Sequence, residues 1–291
     1  MTRPLHIVDV FAERAYAGNQ LAVVLEAEGL GGEAMLEIAR EMNYSETTFL
    51  TGPQSDGAFP VRIFTPGGER PFAGHPTLGT AWVIRERLAA GRPRVVTLAL
   101  EIGRVPVEFA ASDVGEIPWL TAPPATLGPE FPSRTIAPAL GLTEADVASD
   151  LPIRLVTIGW PTLVVPLRSR DALARVRPDL AAFARLAAQG IPLHVYVFCR
   201  EPHDARNHLR ARFFFEAQGV REDPATGSAT ACLGYYLLEH GTGHAPVSLR
   251  IEQGHDIHRP SLLLLEARMD GERAEVRVGG RVIPIAEGHL L

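Results

Sequence analysis

"GSATACLGYYL", residues 227–237, runs its whole length without a charge, and so does "GHPTLGTAWVI", residues 74–84. A helix that is apolar on every face has to be surrounded by protein. The segments flanking both stretches are short, turn-linked and rich in β-formers, which suits mostly antiparallel strands. The economical solution is a strongly curved sheet wrapped around one central helix, formed twice. The expected fold class is therefore α+β, with two pseudo-symmetric domains, each a curved barrel-like β-sheet around a central α-helix.

The pair of helices is one of three repeated pairs. "GNQLAVVL" (18–25) matches "GWPTLVVPL" (159–167), and "VTLALEIG" (96–103) matches "VSLRIEQG" (247–254). The three pairs occur in the same order at similar offsets, which points to an internal duplication. Each half also has an amphipathic helix between its opening strands and its central helix, at 33–42 and 180–188. The stretch "TAPPATLGPEFPSRTIAP", from Thr121 to Pro138, is rich in Pro and Thr and reads as the linker. The expected halves are residues 1–124 and 125–291. The pattern leaves open whether the terminal segment 280–291 rejoins the first half.

Of 291 residues, 46% are hydrophobic and 21% charged, enough for a sizeable core in one or two domains. Net charge is -6 with no strongly basic stretch, which argues against a nucleic-acid partner. No window approaches the roughly 18 to 20 apolar residues of a membrane helix, and no export signal opens the chain. The expectation is a cytoplasmic protein with no membrane partner. Cys199 and Cys232 both sit in apolar segments and read as buried thiols.

Chemistry concentrates where the two apolar helices begin. A helix N-terminus presents unpaired N–H groups and partial positive charge, which suit a carboxylate. Gly74 and Gly227 allow backbone to approach a ligand, and Ser228 can cap its helix or donate to that carboxylate. Three ionisable groups stand near these mouths: Glu46 in "NYSETTFL", His75 in "AGHP" and Asp223 in "EDPATGS". Two carboxylates and an imidazole suffice to take a proton from one atom and deliver it to another. Each also has a plainer reading. Glu46 suits a strand edge, His75 and Ser228 suit helix caps, and Asp223 before Pro224 suits a turn.

Other site classes fit poorly. "TGSAT" lacks the second glycine of a serine-hydrolase elbow, and no phosphate loop or dinucleotide fingerprint is present. His240 and His244 are four apart, but "HGTGH" is too rich in glycine for a zinc helix, and "HDARNH" (203–208) suits an exposed loop. No metal and no organic cofactor are expected.

At "VDVFAERAYAGNQLAVV", "RIFTPGGERPFAGHPTLGTAWV", "EDPATGSATACLG" and "EQGHDIHRPS" the chain resembles the PhzF family of phenazine-biosynthesis-type isomerases, which share the diaminopimelate epimerase fold. The resemblance spans essentially the whole chain. It implies an active site between the two domains, a homodimer, and Glu46 of the "SET" motif as the proton shuttle. It further implies His75 and Asp223 as active-site residues, Ser228 as a substrate contact, and Gly74 and Gly227 as backbone donors to substrate. Gln20 departs from the family's usual proline, and Arg70 stands where an apolar residue is usual. Epimerases of this fold use two opposed cysteines, one at each helix mouth, and here neither mouth has one.

The expected function is a cofactor-independent isomerase that shifts a proton and a double bond on a small cyclic carboxylate, as trans-2,3-dihydro-3-hydroxyanthranilate isomerase does. The alternatives are a racemase or epimerase of a small acid, or a non-catalytic carboxylate-binding protein on the same fold.

Overall fold

In the first unit, Met1–Thr121 with Gly279–Leu291, the chain begins with an antiparallel pair, β1 (Arg3–Val10) and β2 (Asn19–Val24). The computed structural model describes residues 2–216, 220–241, 243–271 and 273–291. Helix α1 (Gly32–Met42) turns Met35 and Ala39 into the core and ends on Asn43 in the left-handed conformation. Strand β3 (Glu46–Leu50) then runs parallel to β2. β4 (Phe59–Thr65) pairs antiparallel with β3 and with the short β5 (Gly68–Arg70), and parallel with β6 (Val95–Leu100). β6, β7 (Gly103–Ser112) and β8 (Gly115–Thr121) form an antiparallel meander. Between β5 and β6 lies α2 (Gly74–Arg87), buried from Gly74 to Ala81 and touching β1, β2, β3, β6, β7 and β8. Near its C-terminal end, buried Arg85 lies 4.2 Å over the Phe109 ring and pairs with Glu116 at 2.8 Å.

The second unit, Ala122–Val278, follows the same plan. Its strands are β9 (Thr126–Phe131), β10 (Ile153–Ile158), β11 (Trp160–Pro166), β12 (His194–Cys199), β13 (Leu209–Glu216), β14 (Val220–Asp223), β15 (Val247–Gln253), β16 (Ser261–Asp270) and β17 (Arg273–Gly279). Its helices are α3 (Ser133–Ile136), α4 (Arg170–Arg175), α5 (Leu180–Ala187) and the central α6 (Gly227–His240). The pairing pattern repeats step for step: β10–β11 antiparallel, β11–β12 parallel, β12–β13 and β13–β14 antiparallel, β13–β15 parallel, β15–β16 antiparallel. α6 is enclosed by β10, β11, β15 and β16, and almost every residue from Gly227 to Leu238 is buried. The C-terminal strand, β18 (Val282–Leu290), pairs antiparallel with β1 along Arg3–Val10.

The duplication extends to single residues. Gly18 and Gly159 both hold positive φ, at 70° and 73°. Counting from them through the strand registers makes Glu46 the counterpart of His194, Arg62 of Arg212, Glu69 of Glu222, and Gly74 of Gly227. The side chains agree. Arg62 pairs with Glu69 at 2.6 Å and lies 5.1 Å over Phe64, while Arg212 pairs with Glu222 at 2.7 Å and lies 4.7 Å over Phe214.

One expectation is corrected. The stretch from Thr121 to Pro138 is not a bare linker, because it contains β9, antiparallel to β10, and the short α3. Pro129 has no N–H to give a ladder, and the register shifts between Arg154 and Val156 to pass it. Arg154 then ties the two strands by donating to Gly128 O at 3.0 Å and to Glu130 at 3.2 Å.

Candidate active site

In the first unit, side chains alternate along β3, so Glu46 and Thr48 share a face. Thr48 Oγ1 lies 2.8 Å from Thr80 Oγ1 on α2, which marks that face as the one turned to the helix. Nearer the helix N-terminus, Glu46 Oε2 lies 3.5 Å from His75 Nδ1. Asn19 Nδ2 stands 3.4 Å from the same ring nitrogen. Burial is the main influence on this imidazole and holds its pKa down to about 3, against a smaller opposing effect of the Gln20 backbone. The ring is therefore neutral near neutral pH, and its contact with Glu46 is not an ion pair.

A neutral imidazole has one donor nitrogen and one acceptor nitrogen. Nδ1 faces both a donor and an acceptor, whereas buried Nε2 has no hydrogen-bond partner. In one tautomer Nε2 offers a substrate an N–H, and in the other a lone pair. The N-cap of α2 is Ala73, which makes no side-chain cap bond to the first-turn N–H groups.

In the second unit the mouth of α6 is held by a polar ring. Its N-cap, Thr226, makes no cap bond to the helix. The Thr226 hydroxyl instead donates to Asp223 Oδ2 at 2.5 Å and accepts from Gln253 Nε2 at 3.0 Å. Gln253, fully buried, also donates to Asp223 O at 2.9 Å and accepts from Thr226 N at 3.2 Å. Gly254 follows with φ +76°, and a Cβ there would stand 2.5 Å from Pro224 O and 2.3 Å from Arg259 O. The Asp223 turn is thus fixed by Thr226, Gln253 and close backbone packing. Ser228, partly exposed, is the second residue of α6, the place that His75 occupies in α2.

The structure thus sets Glu46 against His75 at the start of α2, with Gly74 as its first residue. It sets Asp223, Gly227 and Ser228 at the start of α6. Asn19, Thr226 and Gln253 were missed as site residues. Two of them lie in the "GNQ" and "EQG" segments, which in the sequence mark the duplication and the family resemblance without singling out Asn19 or Gln253.

Neither thiol is poised to react. Cys232 is fully buried and its pKa is pushed up to about 12, chiefly by burial, and burial also raises that of Cys199. Among the described residues no group of three or more His, Cys, Asp or Glu side chains is placed to hold a metal ion. The loop carrying "HDARNH" is organised by a protein carboxylate. Glu252 accepts from His203 N at 2.7 Å, Asp204 N at 2.8 Å and Asn207 Nδ2 at 2.7 Å. Thr242, inside "HGTGH", lies outside the described residues. No helix of the described residues is long and apolar enough to cross a membrane.

A sequence model of the PhzC-PhzF family, described as "Phenazine biosynthesis-like protein", matches residues 8–288. The chain belongs to the PhzC-PhzF family. Within it, the trans-2,3-dihydro-3-hydroxyanthranilate isomerase of Pseudomonas aeruginosa is 36% identical over 285 residues, covering 97% of each chain. The crystal structure of a PhzF-family phenazine biosynthesis protein of Bacillus anthracis superposes with a TM-score of 0.92 at 26% identity, covering 100% of this chain and 99% of that one. The fold extends further. A probable proline racemase of Agrobacterium radiobacter K84, only 14% identical, covers 99% of this chain and 93% of its own with a TM-score of 0.66. The PhzC-PhzF chain described here is an α+β isomerase of this fold.

Proposed function

We propose that this isomerase moves a proton within a small, cyclic carboxylate, as the name of the Pseudomonas aeruginosa relative describes for that enzyme. The observation that carries the reading is the pairing of the Glu46 carboxylate with a buried, neutral His75 whose Nε2 is unpartnered at an uncapped helix mouth. Glu46, 17% exposed, is the general acid and base. Its carboxylate takes a proton from one substrate carbon as the C–H electron pair becomes part of a shifted double bond. The same proton, now on Glu46, is returned to a second carbon, so the reaction is an isomerisation with no net gain or loss. His75 Nε2 hydrogen-bonds the substrate, and the first-turn N–H groups at Gly74 hold its carboxylate. At the mouth of α6, Asp223 fixed by Thr226 and Gln253, with the Gly227 N–H and the Ser228 hydroxyl, is a second set of polar groups suited to a small carboxylate.

The test is proton exchange in D2O, followed by NMR, with trans-2,3-dihydro-3-hydroxyanthranilate and a panel of small cyclic carboxylates. Deuterium is expected at a substrate carbon with the unmutated protein, and at least about 100-fold more slowly with Glu46→Gln, the scale of a lost general acid or base. Equal exchange by the variant rejects the role of Glu46. A two-thiol racemase reading finds no support in two buried cysteines whose pKa values are raised.

A further inference from the structure

Past the C-terminal end of α2, the first unit holds a groove of about 660 Å³ walled by Leu25, Leu50, Phe59 and Leu88 and bordered by residues 95–97 of β6. Leu88 and Val95 are 47% and 49% exposed there, large apolar side chains left to solvent. The strand itself has an open edge. In an antiparallel pair, alternate residues direct both N–H and C=O at the partner strand. Phe109 N donates to Arg94 O at 2.7 Å, so Arg94 and Val96 bond to β7, while Val95 and Thr97 turn to the other side. β4 covers that side only from Leu98 onward, through the Phe59–Leu98 and Pro60–Ala99 pairs. Before Leu98 the edge borders the groove, and no described residue hydrogen-bonds the N–H or C=O of Val95.

The second unit closes the same position. Leu209 pairs with Ile251 as Phe59 pairs with Leu98, so by ladder position His208 and Arg250 stand where Ala58 and Thr97 do. His208 N donates to Arg250 O at 2.9 Å, and His208 Nδ1 accepts from Arg250 N at 3.0 Å. In the first unit Ala58 has no ring to offer and turns away, exchanging hydrogen bonds of 2.9 Å with Ser55 in both directions. The loop closes on itself and β6 stays uncovered. The charge around the groove is of one sign. Its lining includes exposed Glu26 and Glu28 and no Lys, Arg or His, and Arg94, next to Val95, pairs with Glu108 at 3.6 Å.

We propose that this groove binds an extended peptide segment of alternating apolar and basic residues, which adds a strand to β6. The uncovered edge supplies backbone pairing, the apolar walls take the side chains of one face, and Glu26 and Glu28 attract the basic ones. The site is distinct from the α2 mouth, because the helix, about 20 Å long, lies between them.

The probe is a fluorescein-labelled Lys-Val-Lys-Val-Lys-Val amide, titrated with the full-length protein and followed by fluorescence anisotropy. The medium is about 0.15 M salt, which screens the protein's distant charges. Saturable binding is expected, with the Glu-Val-Glu-Val-Glu-Val control at least about tenfold weaker. Joint Glu26→Gln and Glu28→Gln substitution is expected to bring the two peptides within about twofold of each other. Val95→Lys, an exposed change that sets a like charge at the edge, is expected to weaken the basic peptide about tenfold. N-methylation of every amide of the basic peptide is expected to abolish binding, because an added strand needs its N–H groups. Circular dichroism checks that both variants keep the fold. The proposal is overturned by equal binding of the two peptides, by saturation with neither, or by undiminished binding to Val95→Lys or of the N-methylated peptide. A change of oligomeric state in Val95→Lys, read by analytical ultracentrifugation, would give the groove to a second copy of the chain and overturn it as well.

Discussion

His75 shows how a single residue's environment sets its chemistry. On the second position of α2, buried between Glu46 and Asn19, it keeps a neutral ring because burial outweighs every influence that favours the charged form. Its Cε1 proton resonance is accordingly expected to stay flat as pH falls from about 8 to 5, and an inflection near the ordinary histidine range would contradict this. The linkage to stability follows in sign. The folded-state pKa, about 3, lies below the ordinary 6.5, so between these values the unfolded chain binds a proton that the folded one refuses. The contribution is present above 6.5 and erodes as pH falls toward 3, at no more than about 1.4 kcal/mol per pH unit. His75→Gln is expected to flatten that part of the profile, as read from urea melts at about pH 7 and pH 5. The residue type was legible in the sequence at "AGHP". The neutral state was not, because burial arises from strands far away in the chain.

At the scale of elements, duplicated turns are matched in conformation but not in surroundings. Gly18 and Gly159 share the left-handed backbone, yet a Cβ on Gly18 would stand 2.4 Å from Val10 O, while one on Gly159 would meet nothing within 4 Å. Gly159→Ala is expected to cost about 1 kcal/mol, the strain of a side chain in that region. Gly18→Ala adds a backbone clash and is expected to cost about 3 kcal/mol or more. It also disturbs the turn that carries Asn19. Equal losses of stability in chemical denaturation would show that the two turns are not distinguished by packing. The Arg–Glu counterparts diverge in the same way. Arg62 and Glu69 are each 35% exposed, whereas Arg212 and Glu222 are only 5% and 9% exposed. Arg212 also donates to Leu173 O at 2.9 Å and Val176 O at 3.3 Å around the end of α4. The helices themselves were legible because periodicity is local, and α1 and α5 fall where amphipathic spacing puts them.

For the whole molecule, the economy lies in the ends of the repeat. The strand that follows β8 in sequence pairs with β10, and the strand that follows β17 pairs with β1. Ending the chain at Gly280 would remove β18 and leave one edge of β1 unpaired along Arg3–Val10. Hydrogen exchange is expected to accelerate at the β1 amides that face β18, while amides of the β12–β13 pair keep their protection. Unchanged exchange in β1 would show that its protection comes from β2 and α2 alone.

The sequence by itself determined the α+β class, the duplication and the family, since charge-free helices, β-rich flanks and motif spacing are properties of contiguous residues. It also determined which residues stand at the helix mouths, because "AGHP" and "DPATGS" open the helices they precede. Only the tertiary structure decided the return of β18 to β1, the strand within the Pro-rich stretch at 126–131, and the support of Asp223 by Gln253 thirty residues away. The reason is physical. Hydrogen-bond partners and burial depend on which segments meet in space, and hydrophobic patterning names a buried face without naming what covers it.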